Sequence, residues 1–164
     1  MNVTIRRMRA EDLQAVVAID QASFSLPWPA RSFQFELNEN LNSRLWVAET
    51  TDAAGQPAVA GLLVLWKILD EGHIATVAVS AAYRRLGVGR KLLATALLSA
   101  AQEGVTRSFL EVRASNTAAQ ALYQRFGYIV EGVRRRYYKD NQEDALQMSL
   151  YSLNPAVLQR LLEE

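Results

Sequence analysis

Apolar positions divide the chain into segments of two periods. Val3 and Ile5 alternate with polar neighbours and Arg7 continues the period of two, so residues 3–7 predict a short strand. Glu11 and Asp12 then open a helical stretch with Leu13, Val16, Val17 and Phe24 on one face, and Leu26-Pro27-Trp28-Pro29 stops it. Phe33 and Leu37, four residues apart, predict a second short helix over 30–39. Two β-rich runs follow at 45–49 and 59–67, and residues 52–57, with Gly55, supply the hairpin turn between them. Residues 73–79 read as a further strand. Over 87–103 the stripe of Val88, Leu92, Ala96 and Ala100 marks a strong helix that ends at Gly104.

Residues 108–112 predict the next strand. Asn116 can N-cap a helix running to Phe126, and Gly127 can end it in a left-handed conformation. Strands near 128–137 and 145–151 precede a short amphipathic tail after Pro155. Short turns between the early strands imply antiparallel pairing, whereas the strand-helix-strand unit over 74–113 demands a parallel crossover. The pattern therefore predicts one mixed α/β domain over 1–153 and a helical tail over 154–164. Its sheet has about seven strands, mostly antiparallel, flanked by helices.

Composition narrows the function classes. Of the 164 residues half are hydrophobic and 21% charged, the balance of a globular chain that can bury a core without disulfides or metal. A net charge of +1 gives no general attraction to nucleic acid or to an anionic membrane. The absence of cysteine excludes a disulfide framework, thiolate ligands and an acyl-cysteine intermediate. The first seven residues hold no apolar stretch followed by a cleavage site, and no later run is long enough to span a bilayer, so a cytoplasmic location is expected.

The segment from Val77 to Arg90 leads a strand through a basic, glycine-containing turn into a helix. Amides at a helix start lack internal partners, the dipole is positive there, and Gly87 and Gly89 let an anion approach the backbone. Arg84, Arg85 and Arg90 can add charge. From spacing alone an ordinary turn with solvated arginines is an equal alternative. A P-loop is excluded, and a dinucleotide fingerprint fits badly because Leu92 stands at its third glycine, although Glu111 lies about where a ribose-binding acid could fall.

Arg84-Arg85-Leu86-Gly87-Val88-Gly89 resembles the GNAT acetyltransferase signature Arg/Gln-x-x-Gly-x-Gly/Ala. The resemblance implies a GNAT fold, its sheet splayed open near Val79 so that acetyl-CoA enters one side and the acceptor the other. It also implies that the backbone from Leu86 to Arg90, through Gly87, Val88 and Gly89, holds the pyrophosphate. Val77 and Val79 would pair with pantetheine like an added strand, with Ala78 at the splay beside the thioester.

A second cluster, Glu111-Val112-Arg113-Ala114-Ser115-Asn116, then Ala121-Leu122-Tyr123 and Phe126-Gly127-Tyr128, resembles the RimI-like ribosomal-protein N-terminal acetyltransferases over roughly residues 3–151. Direct transfer from a thioester to an amine needs a base for the ammonium and an acid for the leaving sulfur. The resemblance gives the first role to Glu111, directly or through water, and the second to Tyr123. Read structurally, Glu111 is an exposed strand residue or an ion-pair partner of Arg113, and Tyr123 packs on the sheet. Asn116 caps its helix, contacts pantetheine, or does both.

Arg134-Arg135-Arg136-Tyr137-Tyr138 and Glu143-Asp144-Ala145 resemble the acceptor side of N-terminal acetyltransferases. There Tyr138 would bond the backbone of the substrate's first residues, and Phe24, Leu26, Pro27 and Trp28 would form the opposite wall. Loop packing with a solvated basic strand is the alternative, as is an RNA contact by the arginines. His73, the only histidine, has no partner at metal spacing, and no metal is expected. The resemblance implies acetylation of a small-subunit ribosomal protein at an N-terminal alanine, with no membrane or sequence-specific nucleic acid as partner. His73-Ile74-Ala75-Thr76 departs from the larger apolar residues and asparagine common there, which keeps open a broader N-terminal and lysine acetyltransferase. A non-catalytic acyl-CoA-binding module is the third reading.

Overall fold

The computed structural model covers residues 1–164 and arranges the elements in one mixed sheet with helices on both faces. The strands are β1 (Thr4–Arg7), β2 (Ser43–Thr51), β3 (Pro57–Ile68), β4 (Glu71–Val79), β5 (Arg107–Arg113), β6 (Ile129–Arg134) and β7 (Ala145–Leu150). The helices are α1 (Leu13–Ser23), α2 (Ala30–Asn38), α3 (Val88–Gln102), α4 (Thr117–Phe126) and α5 (Pro155–Glu163). Spatial order is β1-β2-β3-β4-β5-β7-β6. Only the β4–β5 pair is parallel, because α3 carries the chain back across the sheet between them.

Successive residues of β3 feed opposite layers. Leu62 and Val64 join Val16, Ile19 and Phe33 under α1 and α2, while Leu63 and Leu65 join Leu92, Leu93 and Leu97 under α3. This strand is buried on both faces, which explains its continuous apolar run. Leu158 and Leu161 of α5 lie in the α3-side core, and each such buried side chain contributes about 1.5–3 kcal/mol. Beyond β4 the α1/α2 layer stops, so the same face of β5, β7 and β6 is uncovered.

The most consequential departure from regularity lies between β4 and β5. They pair only at Glu71 with Arg107, Gly72 with Ser108 and His73 with Phe109. The expected splay is present but opens after His73, well before Ala78 and Val79. The register of β4 against β3 shifts between Ile74 and Thr76, leaving Ala75 as an extra residue. Such a bulge bends its strand and increases local twist, and this one bends β4 where it leaves β5. Ala78 still pairs with Leu62 of β3 and is buried on the α1/α2 side, so its side chain is not in the opening.

Two other boundaries differ from expectation. Phe24 is not on the α1 face: the helix ends at Ser23, Phe24 is extended at φ −127°, and its side chain is 37% exposed. The proline-containing segment after it cannot continue the helix. β6 ends at Arg134 and not near 137, because Arg136 turns back at φ +53° and its amide bonds Asp144 Oδ1 at 2.9 Å.

Candidate active site

Two connected openings flank the splay. The larger, about 760 Å³, lies over the uncovered sheet face and is lined by residues including Trp66, His73, Phe109, Glu131, Arg134 and Tyr137. The smaller, about 400 Å³, passes between the separated strands and is lined by residues including Phe24, Leu26, Val77, Arg113, Asn116 and Tyr123. Trp28, Ile74, Ala75, Leu110, Glu111 and Tyr138 line both. Glu111 thus stands at the junction of the two spaces.

Period-two alternation explains that placement. Leu110 and Val112 enter the α3-side core, so Glu111 between them faces the uncovered side, opposite Gln147 on β7. Its carboxylate is 3.5 Å from Arg134 Nε. The ion-pair reading therefore names the wrong partner, since Arg113 is engaged with Asp140 and Glu143. Tyr137 is a further neighbour, its phenol pushed up first by burial and then by the adjacent Glu111 carboxylate.

Tyr123 comes from the other layer. It is only 5% exposed, in the second turn of α4, and packs edge-on to Tyr128 with centroids 5.7 Å apart. Tyr128 donates its hydroxyl to Ser108 Oγ at 2.7 Å, whereas Tyr123 lines the opening. Burial drives the Tyr123 phenol far above its ordinary pKa, and the nearby Tyr138 adds to this, so it remains protonated. Asn116 caps α4 by accepting the Ala119 amide at 3.1 Å and also lines the opening.

At the opposite end of the gap the edge of β4 facing β5 is unpaired from Ile74 onward and leads to the start of α3. Gly87 is left-handed at φ +81°, and the helical ladder begins with Lys91 N bonding Gly87 O at 3.0 Å. The amides of Val88, Gly89 and Arg90 precede that first bond and form a positive helix end. The arginines are not equivalent. Arg84 Nε donates to Val79 O at 3.0 Å, Arg90 Nε donates to Leu161 O at 2.8 Å, and Arg85 is exposed at φ +64°. Leu86 is exposed, and Val88, its side chain buried in the core, brings backbone alone to this end.

Trp28 stacks on Trp66, with ring centroids 6.2 Å apart, at the edge of the larger opening. Its amide is held at 2.8 Å by Oδ2 of Asp20, a buried carboxyl whose pKa burial raises. Phe24, Leu26 and Trp28 on this loop, and Tyr138 across from it, all reach the smaller opening. Nothing in the sequence marked Asp20 or Trp66 as parts of this site, and the Arg134–Tyr138 segment, placed on the acceptor side, gave no sign that Arg134 and Tyr137 lie beside Glu111. Trp66 faces it through its register with His73, a relation that no local spacing reveals.

A model of the acetyltransferase (GNAT) family matches residues 13–128. The chain belongs to the GNAT acetyltransferase family. It is 38% identical over 144 residues to a putative ribosomal protein bS18-alanine N-acetyltransferase of Bacillus subtilis, covering 88% of this chain and 92% of that one. It is 35% identical over 150 residues to the ribosomal protein bS18-alanine N-acetyltransferase of Escherichia coli K12, covering 90% and 96%. The crystal structure of the Escherichia coli ribosomal-protein-S18-alanine N-acetyltransferase superposes with a TM-score of 0.79 at 33% identity, covering 92% of this chain and 95% of that one. No helix of the chain is long and apolar enough to cross a membrane.

Proposed function

We propose that this GNAT-family chain is an acetyl-CoA-dependent N-alpha-acetyltransferase acting in the cytoplasm on the N-terminal amine of a ribosomal protein, with the alanine terminus of bS18 as first candidate. The observation that carries this reading is the splay, which brings Glu111 to the junction of two openings and Tyr123 into one of them. The names of the relatives support the substrate class.

The residues present fit acetyl-CoA. The β4 edge that leaves β5 suits an extended amide-bearing arm beside Val77 and Val79, where the Val79 carbonyl already accepts Arg84 Nε, and the amides after Gly87 suit its diphosphate. Asn116, at the mouth of α4, can contact the arm while capping its helix. Bound acetyl-CoA supplies the acyl group as a thioester. Glu111 takes a proton from the substrate's ammonium, directly or through water, and Tyr123 gives its proton to the departing sulfur. The Tyr123 phenol is protonated at neutral pH, as a proton donor must be, and burial makes it a weak acid that gives up its proton only as negative charge develops on the sulfur. Phe24, Leu26 and Trp28 form one wall of the peptide cleft and Tyr138 the other.

Glu111→Gln tests the assignment through pH. A terminal amine has a pKa of about 7.7–8.0, so the base matters near pH 7 and much less by about pH 9. With a bS18 N-terminal peptide, kcat of the variant should fall about 100-fold near pH 7 and recover much of that deficit by pH 9. A wild-type to mutant ratio that stays flat with pH would remove Glu111 from the role. Mass spectrometry of the products should place the acetyl group on the terminal amine and leave N-blocked lysine peptides unmodified.

A further inference from the structure

Arg113 ends β5 two residues beyond Glu111 and, by alternation, lies on the same uncovered face. Its Nη2 donates to Asp140 Oδ2 at 2.9 Å, and its Nη1 to Asp140 Oδ1 at 3.1 Å and Glu143 Oε1 at 3.3 Å. The guanidinium carbon lies 3.9 Å from the centroid of the Tyr138 ring. Asp140 also accepts a hydrogen bond from Ser25 Oγ on the facing 24–29 loop. Glu143 Oε2 accepts the Ser115 amide at 2.7 Å, tying the same loop to the end of β5. One side chain thus connects the base-bearing strand, the Tyr138 loop and the Trp28 loop.

The 135–144 loop depends on such contacts. Arg136 and Gln142 sit at φ +53° and +60°, a left-handed conformation that disfavours residues with side chains. The loop is held from outside through Asp140 and Glu143. Both carboxylates are kept below their ordinary range, Asp140 by the Ser25 hydroxyl first and Arg113 next, Glu143 down to about 2 by Ser115 first, with Arg113 contributing. The network is therefore charged throughout the neutral range and is a fixed clamp rather than a pH switch.

We propose that Arg113 is a positioning residue for the peptide substrate: by holding Asp140 where Ser25 can bond it, it fixes the spacing of the two cleft walls and orients Tyr138. This rests on the reading of the cleft given above. Arg113 touches no reacting atom in that scheme, so its loss acts on peptide binding and leaves the chemical step. Lysine keeps the charge but loses the planar fork that grips both Asp140 oxygens while lying on an aromatic ring.

Arg113→Lys should raise the peptide KM about tenfold, while kcat and the acetyl-CoA KM stay within about twofold. Ser25→Ala, at an exposed position with little consequence for folding, should raise the peptide KM about threefold. Ser25→Ala combined with Asp140→Ala should be no worse than Asp140→Ala alone, because alanine at 140 already removes the acceptor of the Ser25 bond. Hydrogen exchange on the free protein supplies a readout that needs no turnover: residues 24–29 should exchange faster in Arg113→Lys and Asp140→Ala. Unaltered exchange there overturns the clamp, and faster exchange with an unchanged peptide KM overturns its role in binding. A folded wild-type protein with no peptide turnover would overturn the substrate reading and this role with it, whereas unaltered exchange in active variants overturns this role alone.

Discussion

At the scale of single residues, Glu111 and Tyr123 illustrate two ways in which a fold prepares a side chain. Glu111 is left partly open on a strand whose neighbours, Leu110 and Val112, are buried, so core packing aims it at the cleft. Tyr123 is almost wholly buried, and its phenol is kept neutral by desolvation. Tyr123→Phe separates the acid role from packing. If the hydroxyl protonates sulfur, kcat should drop about 100-fold with acetyl-CoA affinity unchanged, as expected for a proton needed in the transition state. If the ring only packs against Tyr128, the phenylalanine fills the same space and kcat should stay within about twofold, a barrier change of only ~0.4 kcal/mol. Single-turnover rates with calorimetric affinities for acetyl-CoA distinguish the two.

At the scale of elements, the position of α3 is set by a glycine outside the motif it serves. A Cβ on Gly61 of β3 would lie 2.9 Å from Ala78 O, 3.1 Å from Leu92 Cδ1 and 3.3 Å from Val88 Cγ1. The first of these is backbone and cannot swing aside, so Gly61 permits β4 and the start of α3 to close onto β3. Gly61→Ala should therefore force a shift costing about 1–3 kcal/mol, seen as a Tm lower by roughly 3–10 °C. The shift falls on the strand edge and helix start proposed to hold acetyl-CoA, so calorimetry should show weaker acetyl-CoA binding as well. An unchanged Tm would mean that the two layers yield more readily than this packing implies.

At the scale of the whole molecule, the larger opening is built where one helical layer ends. α1 and α2 cover the sheet as far as β4, and Asp20, buried between those helices and the cleft, anchors the loop that borders it. Its raised pKa means that the folded state holds the Asp20 proton more tightly than the unfolded chain does. Stability from this group is therefore full below the unfolded value near 3.8 and falls as pH rises through the folded pKa. Asp20→Asn keeps an oxygen for the Trp28 amide and removes the titration. Compared by thermal denaturation between about pH 4 and pH 8, the variant should gain on the wild type as pH rises and level off above the raised pKa. A difference that does not vary with pH would contradict the burial argument.

The sequence by itself determined the elements and the turns and caps that border the candidate site, because those signals are local. Apolar periodicity marks α3 and the strands, Gly87 and Gly127 adopt the left-handed conformations that glycine permits, and Asn116 caps α4. The parallel β4–β5 pair follows from a strand-helix-strand order, and the segment from Arg84 to Gly89 points to the family to which the chain belongs. Register and cross-layer packing were decided only by the tertiary structure. β4 parts from β5 just beyond His73, beside a one-residue bulge at Ala75, and not near Val79, and Arg134, distant in sequence, took the place expected of Arg113 beside Glu111. The bond from Ser25 to Asp140 spans 115 positions of sequence. Periodicity reports which way each side chain faces along its own strand, whereas its partners depend on how separate strands and loops are brought side by side.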